Sequence, residues 1–210
     1  MNPTEREAFK EQLSLMAAGR GDGIDLDSPQ RWTVAGLRDP ATFFRHLDRL
    51  IPADSILYFE ATNPAKEVTE FYEANRARGG AVCVVRDMIF PVPEIFHVQM
   101  RPGLIEELVN LLGKHSQQCC FTHVKAYSEA QLLFAFHDAF DGSSLLVSDR
   151  VPAKRVQAFC AGTGATCCRE PNQNERDPEV LRRLLWAMEN PDQVRILWPW
   201  WKKALFLWKK

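Results

Sequence analysis

Apolar residues recur along this chain with two different spacings. One spacing, in which an apolar side chain returns every three or four residues, is typical of helices that bury one face. Stretches with this spacing come directly after residues that commonly begin helices. One of these is Asp39, which can cap a helix whose first position is Pro40. Six helices are predicted on this basis: from Thr4, from Asp39, from Asn63, over 102–114, over 152–160 and from Asp177.

Short apolar runs between these helices predict strands, at 32–35, 55–61, 81–86, 95–100, 119–127, 132–140 and 144–148. Helices and strands alternate between residues 39 and 86, which predicts a parallel portion of the sheet. The later strands follow one another and predict an antiparallel meander. We therefore expect an α+β fold with a single mixed sheet of about five to seven strands and helices packed on it. A three-layer α/β/α arrangement is the alternative.

The whole chain, residues 1–210, is expected to form one domain. Residues 1–30 are predicted to form an N-terminal helix followed by an acidic turn, and the polar stretch 169–176 to form an exposed loop. With 46% hydrophobic and 25% charged residues, the composition is that of a soluble globular protein. The first residues lack the apolar run of a secretory signal, so we expect a cytoplasmic location in which the six cysteines are reduced thiols.

Cysteine and histidine, the ligands that zinc prefers, lie close together where Cys119 and Cys120 precede His123. On the predicted strand, however, Cys119 and His123 would lie about 13 Å apart, too far to bind one ion, and Cys120 would point to the other face. The sequence also lacks a complete phosphate-binding glycine motif, the Gly-x-Ser-x-Gly motif of serine hydrolases and the His-Glu-x-x-His motif of zinc proteases. It therefore predicts neither a metal nor a cofactor.

Asp138 is the candidate catalytic residue that the strand pattern indicates. If Asp141 and Gly142 form a two-residue hairpin turn, Asp138 pairs with Leu145 and its carboxyl group lies among apolar side chains. Burial favours the protonated form of a carboxyl group and suits it to general acid–base chemistry. A structural carboxylate, bonded to backbone amides or to an arginine, is the alternative. His137, the second candidate, would lie on the opposite face of the strand and so would form no dyad with its neighbour.

The carboxyl-terminal segment, residues 195–210, combines four of the six tryptophans with five basic residues and no acidic one. A helix that begins at Pro199 would place most of its aromatic side chains opposite its lysines, with Phe206 among the lysines. Such a helix can complete the protein's own core, dock on another protein or lie on an anionic membrane. The predicted binding residues are Trp198, Trp200, Trp201, Lys202, Lys203 and Trp208.

These features favour a non-enzymatic binding protein that forms a homo-oligomer or contacts a protein partner through residues 195–210. Two alternatives remain. One is an enzyme of unrecognised family that uses Asp138. The other is a peripheral membrane protein, although the segment favours a protein partner over a membrane surface. The formal net charge of the whole chain is −1, and the basic residues of 195–210 leave the remainder acidic. The sequence therefore offers no broad basic surface for nucleic acid.

Truncation after Leu197 tests the interaction hypothesis. If the segment is a docking element, the shortened chain should stay folded by circular dichroism. It should lose its oligomeric mass in light scattering, or its co-sedimentation with anionic vesicles. Unfolding of the shortened chain would assign the tryptophans to the core. A truncated chain that keeps the fold, the mass and the vesicle binding of the full chain would contradict the hypothesis.

Overall fold

Seven short strands pair into one sheet in the computed structural model, which describes residues 23–79, 82–88 and 91–171. Every neighbouring pair is antiparallel, in the order β3-β2-β4-β5-β6-β1-β7 along the sheet. The first strand is thus inserted between the last two. The strands are β1 (Gln30–Ala35), β2 (Ile56–Ala61), β3 (Glu94–Gln99), β4 (His123–Ser128), β5 (Gln131–Phe136), β6 (Leu145–Ser148) and β7 (Thr166–Pro171).

The first helix begins where the sequence predicts. Asp39 caps it, because its carboxylate accepts a hydrogen bond from the backbone N–H of Thr42 at 2.9 Å. A second hydrogen bond, from the side chain of Thr42, lowers the pKa of Asp39. The helices of the described residues are α1 (Pro40–Arg45), α2 (Leu47–Leu50), α3 (Lys66–Ala74), α4 (Leu104–Lys114) and α5 (Ala153–Thr163). None of them is both long and apolar enough to cross a membrane.

Helix ends are less well predicted than helix positions. The predicted cap at Asn63 is wrong, since α3 starts at Lys66 and Asn63 has a left-handed φ of 57°. Helix α5 continues past Cys160, the predicted last residue, and ends at Thr163, followed by the C-cap Gly164 with a φ of 72°. Only a residue that tolerates positive φ fits this terminating position well.

The helices pack on one face of the sheet and enclose the main core. Phe43 of α1 lies at its centre, fully buried. Its ring centroid is 5.0 to 6.0 Å from those of five other phenylalanines, mostly in edge-to-face geometry, which is favourable for aromatic pairs. These partners are Phe44, Phe134, Phe136, Phe140 and Phe159.

Two extended segments, residues 23–28 and 82–88, cover part of the second face of the sheet. They meet through an isolated parallel bridge between Ile24 and Val84. The approach is close, because a Cβ atom on Gly23 would lie 2.1 Å from the carbonyl oxygen of Cys83. A smaller apolar cluster forms beneath the two segments, from Leu26, Tyr58, Val84, Tyr127, Leu132 and Ala135.

The α+β class and the antiparallel meander of β4, β5 and β6 are confirmed. The predicted parallel portion is wrong, because β2 pairs antiparallel with both its neighbours. Residues 82–86 add no strand to the sheet, and their isolated bridge joins Val84 to Ile24. The acidic turn predicted after the first helix is instead the extended segment 23–28. In the described part of the chain, these segments and not helices cover the second face, so the described residues form two layers and not the three of the alternative.

Strand β7 was not predicted, since part of it lies in the polar stretch 169–176. As an edge strand whose side chains are mostly exposed, it lacks an apolar alternation. The described residues belong to one compact unit, Asp22–Gln173. The helices predicted from Thr4 and Asp177, the segment 195–210 and the extent of a single domain over 1–210 lie outside the described residues.

We expect Phe43→Ala to lower the free energy of unfolding by about 3–5 kcal/mol, because it removes a ring that five others contact and leaves a cavity. Chemical denaturation monitored by circular dichroism measures this loss. Val92→Ala is the control, since the Val92 side chain is 66% exposed and its truncation should change stability by about 0.5 kcal/mol or less. Equal effects of the two substitutions would contradict the assignment of Phe43 to the centre of the core.

Candidate acid–base site

The second face of the sheet concentrates titratable side chains. Side chains two residues apart on a strand share a face, and Leu57 and Phe59 of β2 belong to the main core. The intervening positions therefore face the other way. In the strand register, Glu60 lies opposite His123, and Tyr58 lies opposite Lys125 on one side and His97 on the other. The face carries Tyr58, Glu60, His97, His123, Lys125 and Tyr127.

Lys125 is fully buried on this face. Its Nζ lies 2.6 Å from the carbonyl oxygen of Val85 and 2.6 Å from Oδ2 of Asp87. A buried ammonium group requires such partners, because burial without them would be very costly. Burial alone would raise the pKa of Asp87, but the close contacts with His137 and with the charged Lys125 outweigh it. They hold the pKa of that carboxyl group well below its ordinary value.

Glu60 fixes the same segment from a neighbouring strand. Its buried carboxylate accepts hydrogen bonds from the backbone N–H groups of Asp87 and Met88, both at 2.8 Å. The hydroxyl of Tyr58 donates a third, at 3.0 Å. Burial and the adjacent Glu60 carboxylate raise the pKa of Tyr58, so this hydroxyl keeps its proton at neutral pH. Residues 85–88 are thus bound to the sheet by two charged side chains.

His137 follows β5 directly and contacts this network from its edge. Its Nδ1 lies 2.8 Å from Oδ2 of Asp87. The His137 side chain is 37% exposed, whereas that of Asp87 is 10% exposed. An ionised carboxylate offers no proton, so this close contact favours a proton on Nδ1 of His137. In the neutral ring, Nε2 then carries a free lone pair, and a half-exposed ring can meet a substrate or a water molecule.

A second imidazole lies beside the first. The ring centroids of His123 and His137 are 6.2 Å apart. Nδ1 of His123 accepts a hydrogen bond from the backbone N–H of Asp138 at 2.8 Å. The predicted strand over 119–127 begins only at His123, since Cys119 ends a 3₁₀ helix. His123 is almost completely buried, with a side chain that is 7% exposed.

Asp138 does not lie in the sheet. The predicted hairpin register is wrong, because Phe134 pairs with Val147 and residues 137–144 form a longer connection. Asp138 has a left-handed φ of 41°, and its side chain is 63% exposed. The connection is also held by Gln117, which precedes β4 and whose side-chain amide donates a hydrogen bond to the carbonyl of Ala139. The burial on which a general-acid role for Asp138 depends is therefore absent.

Sequence reasoning identified His137 but missed Asp87, Glu60 and Lys125. The sequence does hold a signal for two of these, because Glu60 and Lys125 each lie between two apolar residues within a strand. Such residues are rarely fully buried without a partner. Asp87 gives no local signal, since its partners are distant along the chain. The predicted binding residues of segment 195–210 lie outside the described residues.

All six cysteines lie in the described part of the chain, and no disulfide joins them. Within the same residues, no group of three or more histidine, cysteine, aspartate or glutamate side chains is arranged to hold a metal ion. Comparison with protein-family models, curated proteins and solved structures finds no match to this chain. The candidate site is therefore defined by its own geometry.

We expect Asp87→Asn to lower the free energy of unfolding at pH 7 by about 3 kcal/mol, because it leaves the Lys125 ammonium buried without a counter-charge. The folded-state pKa of Asp87 lies below its value in the unfolded chain. Its stabilising effect is therefore present above about pH 4 and is lost as the pH falls below it. The difference between the variant and the wild type should shrink over that range in urea denaturation.

Asp138→Asn is the matched control, since it removes an exposed carboxylate from the same region. Its effect at pH 7 should stay within about 0.5 kcal/mol. If Asp87→Asn were as stable as the wild type at pH 7, the buried ion pair would be contradicted.

Proposed function

We propose that the protein is an acid–base enzyme in which His137 is the general base and Asp87 orients it. The observation that supports this role is the contact of 2.8 Å between Nδ1 of His137 and Oδ2 of Asp87, with the histidine half-exposed and the aspartate buried. A base needs access to its substrate, whereas the group that orients it is most effective away from water.

The network supplies what a histidine base requires. The contact with the Asp87 carboxylate favours the tautomer with its proton on Nδ1, and the negative charge of Asp87 stabilises the imidazolium that forms when the base takes a proton. Lys125 favours the ionised form of Asp87 even at this depth. Glu60 holds the backbone that carries Asp87. Lys125 and Glu60 therefore act as positioning residues.

The proton that moves is one from water or from a hydroxyl group. His137 accepts it at Nε2, and the oxygen that loses it becomes the nucleophile. Base assistance of this kind commonly contributes a factor of about 10² to 10⁴ to the rate.

An interaction through residues 195–210 remains a separate proposal, since it depends on a different part of the chain. A docking segment and an acid–base site can occur in one protein. Truncation after Leu197 tests the segment, and substitution of His137 tests the site.

The site is tested by hydrolysis of p-nitrophenyl acetate, a small activated ester that any accessible general base can help to cleave. We expect His137→Gln to lower kcat/KM by about 100-fold or more, because glutamine retains much of the shape but accepts no proton. Asp87→Asn should also lower it, since the amide cannot stabilise the imidazolium. Circular dichroism of each variant checks that it is folded.

His46→Gln provides the control. His46 lies between α1 and α2, on the helix-bearing face of the sheet, and its substitution should leave hydrolysis unchanged. A wild-type rate no higher than that of His137→Gln would contradict the proposal.

A further inference from the structure

We propose that His123 is a neutral hydrogen-bond donor that stabilises the negative charge forming on a carbonyl oxygen beside His137. Carbonyl compounds such as esters are then the substrate class. This inference rests on the proposed role of His137, and it adds the group that would act on the oxygen of the substrate.

The hydrogen-bond partner of His123 determines where its proton lies. A backbone N–H can only donate, so Nδ1 of His123, which accepts from Asp138 at 2.8 Å, bears no proton. The neutral ring must then carry its hydrogen on Nε2. His137 has the opposite arrangement, because its Nδ1 faces the acceptor Asp87. The two rings thus combine one nitrogen that can take a proton with one N–H that can donate a hydrogen bond.

The carboxylate of Asp138 is the competing partner for the same nitrogen. Its Oδ1 lies 3.7 Å from Nδ1 of His123, beyond hydrogen-bond distance, whereas the backbone nitrogen is 0.9 Å closer. The turn also holds that backbone in place. The N–H of Ala139 donates to the carbonyl of Thr122 at 2.9 Å, and the N–H of Asp141 donates to the carbonyl of Asp138 at 3.0 Å.

The two rings lie close enough to contact one bound group. Their centroids are 6.2 Å apart, in an edge-to-face arrangement. An ester carbonyl and the water that attacks it, bound beside this pair, could therefore contact both rings.

The chemical step conserves atoms and charge. His137 takes a proton from water at Nε2 while the water oxygen forms a bond to the carbonyl carbon. The π electrons of the carbonyl move to its oxygen, and the N–H of His123 donates a hydrogen bond to the resulting oxyanion. When the tetrahedral intermediate collapses, the bond to the leaving oxygen breaks, and that oxygen receives the proton from His137. Neutral imidazole can serve in this way when a fixed N–H donor occupies its other nitrogen.

The first measurement determines the tautomer in the full-length wild-type protein. Long-range ¹H–¹⁵N correlation spectra of ¹⁵N-histidine-labelled protein at pH 8 distinguish the two nitrogens of each ring. His123→Gln and His137→Gln assign the signals. We expect the proton on Nε2 of His123 and on Nδ1 of His137. A proton on Nδ1 of His123 would overturn the inference whatever the activity.

The second measurement is p-nitrophenyl acetate hydrolysis by His123 variants. Loss of one oxyanion donor commonly lowers kcat by about 10² to 10³-fold, so His123→Ala should lower kcat by about 100-fold with little change in KM. His123→Gln, whose amide can donate, should recover part of the loss. If His123→Ala fails to fold, His123→Gln and the wild-type tautomer still decide the question.

The outcomes separate the two proposals. Wild-type kcat in folded His123 variants, together with a loss in His137→Gln, would overturn the role of His123 and leave that of His137 intact. An unchanged rate in His137→Gln would remove both.

Discussion

A fully buried ammonium group, that of Lys125, is the constraint on which the second face of the sheet depends. Its partners come from residues 85–88, since the carbonyl of Val85, 40 residues earlier, and the carboxylate of Asp87 both contact it. Asp87 in turn fixes His137. The orientation of the half-exposed His137 ring is therefore set by the charges of Asp87 and Lys125, which are almost completely buried.

The two faces of the sheet differ in what their side chains do. The helix-bearing face is filled by apolar and aromatic groups around Phe43, and burial of this kind is the main favourable contribution to folding. The second face buries an ion pair and a hydrogen-bonded carboxylate. Apolar residues of the same volume often stabilise a protein at least as well as a buried ion pair. Positioning of Asp87 and His137 is thus a better explanation of this network than stability.

The sequence predicted the parts of the site that depend on near neighbours. It placed Lys125 and His123 on strand-forming segments, and it identified His137 as a candidate. It misplaced Asp138, because the hairpin register depends on Gln117 and Thr122, which hold the connection after β5 from other elements. Asp87 could not be predicted, since what distinguishes it is its contact with two residues that are far from it along the chain.

The sequence by itself determined the α+β class, most helix positions and the meander of the later strands. These follow from caps such as Asp39 and from apolar spacing, which act within a few residues of the chain. Only the tertiary structure decided that β1 lies between β6 and β7, that β7 forms, and that residues 82–88 cross the second face of the sheet. The physical reason is that these features require partners from distant segments. A buried charge must be compensated by whatever groups the completed sheet brings within reach.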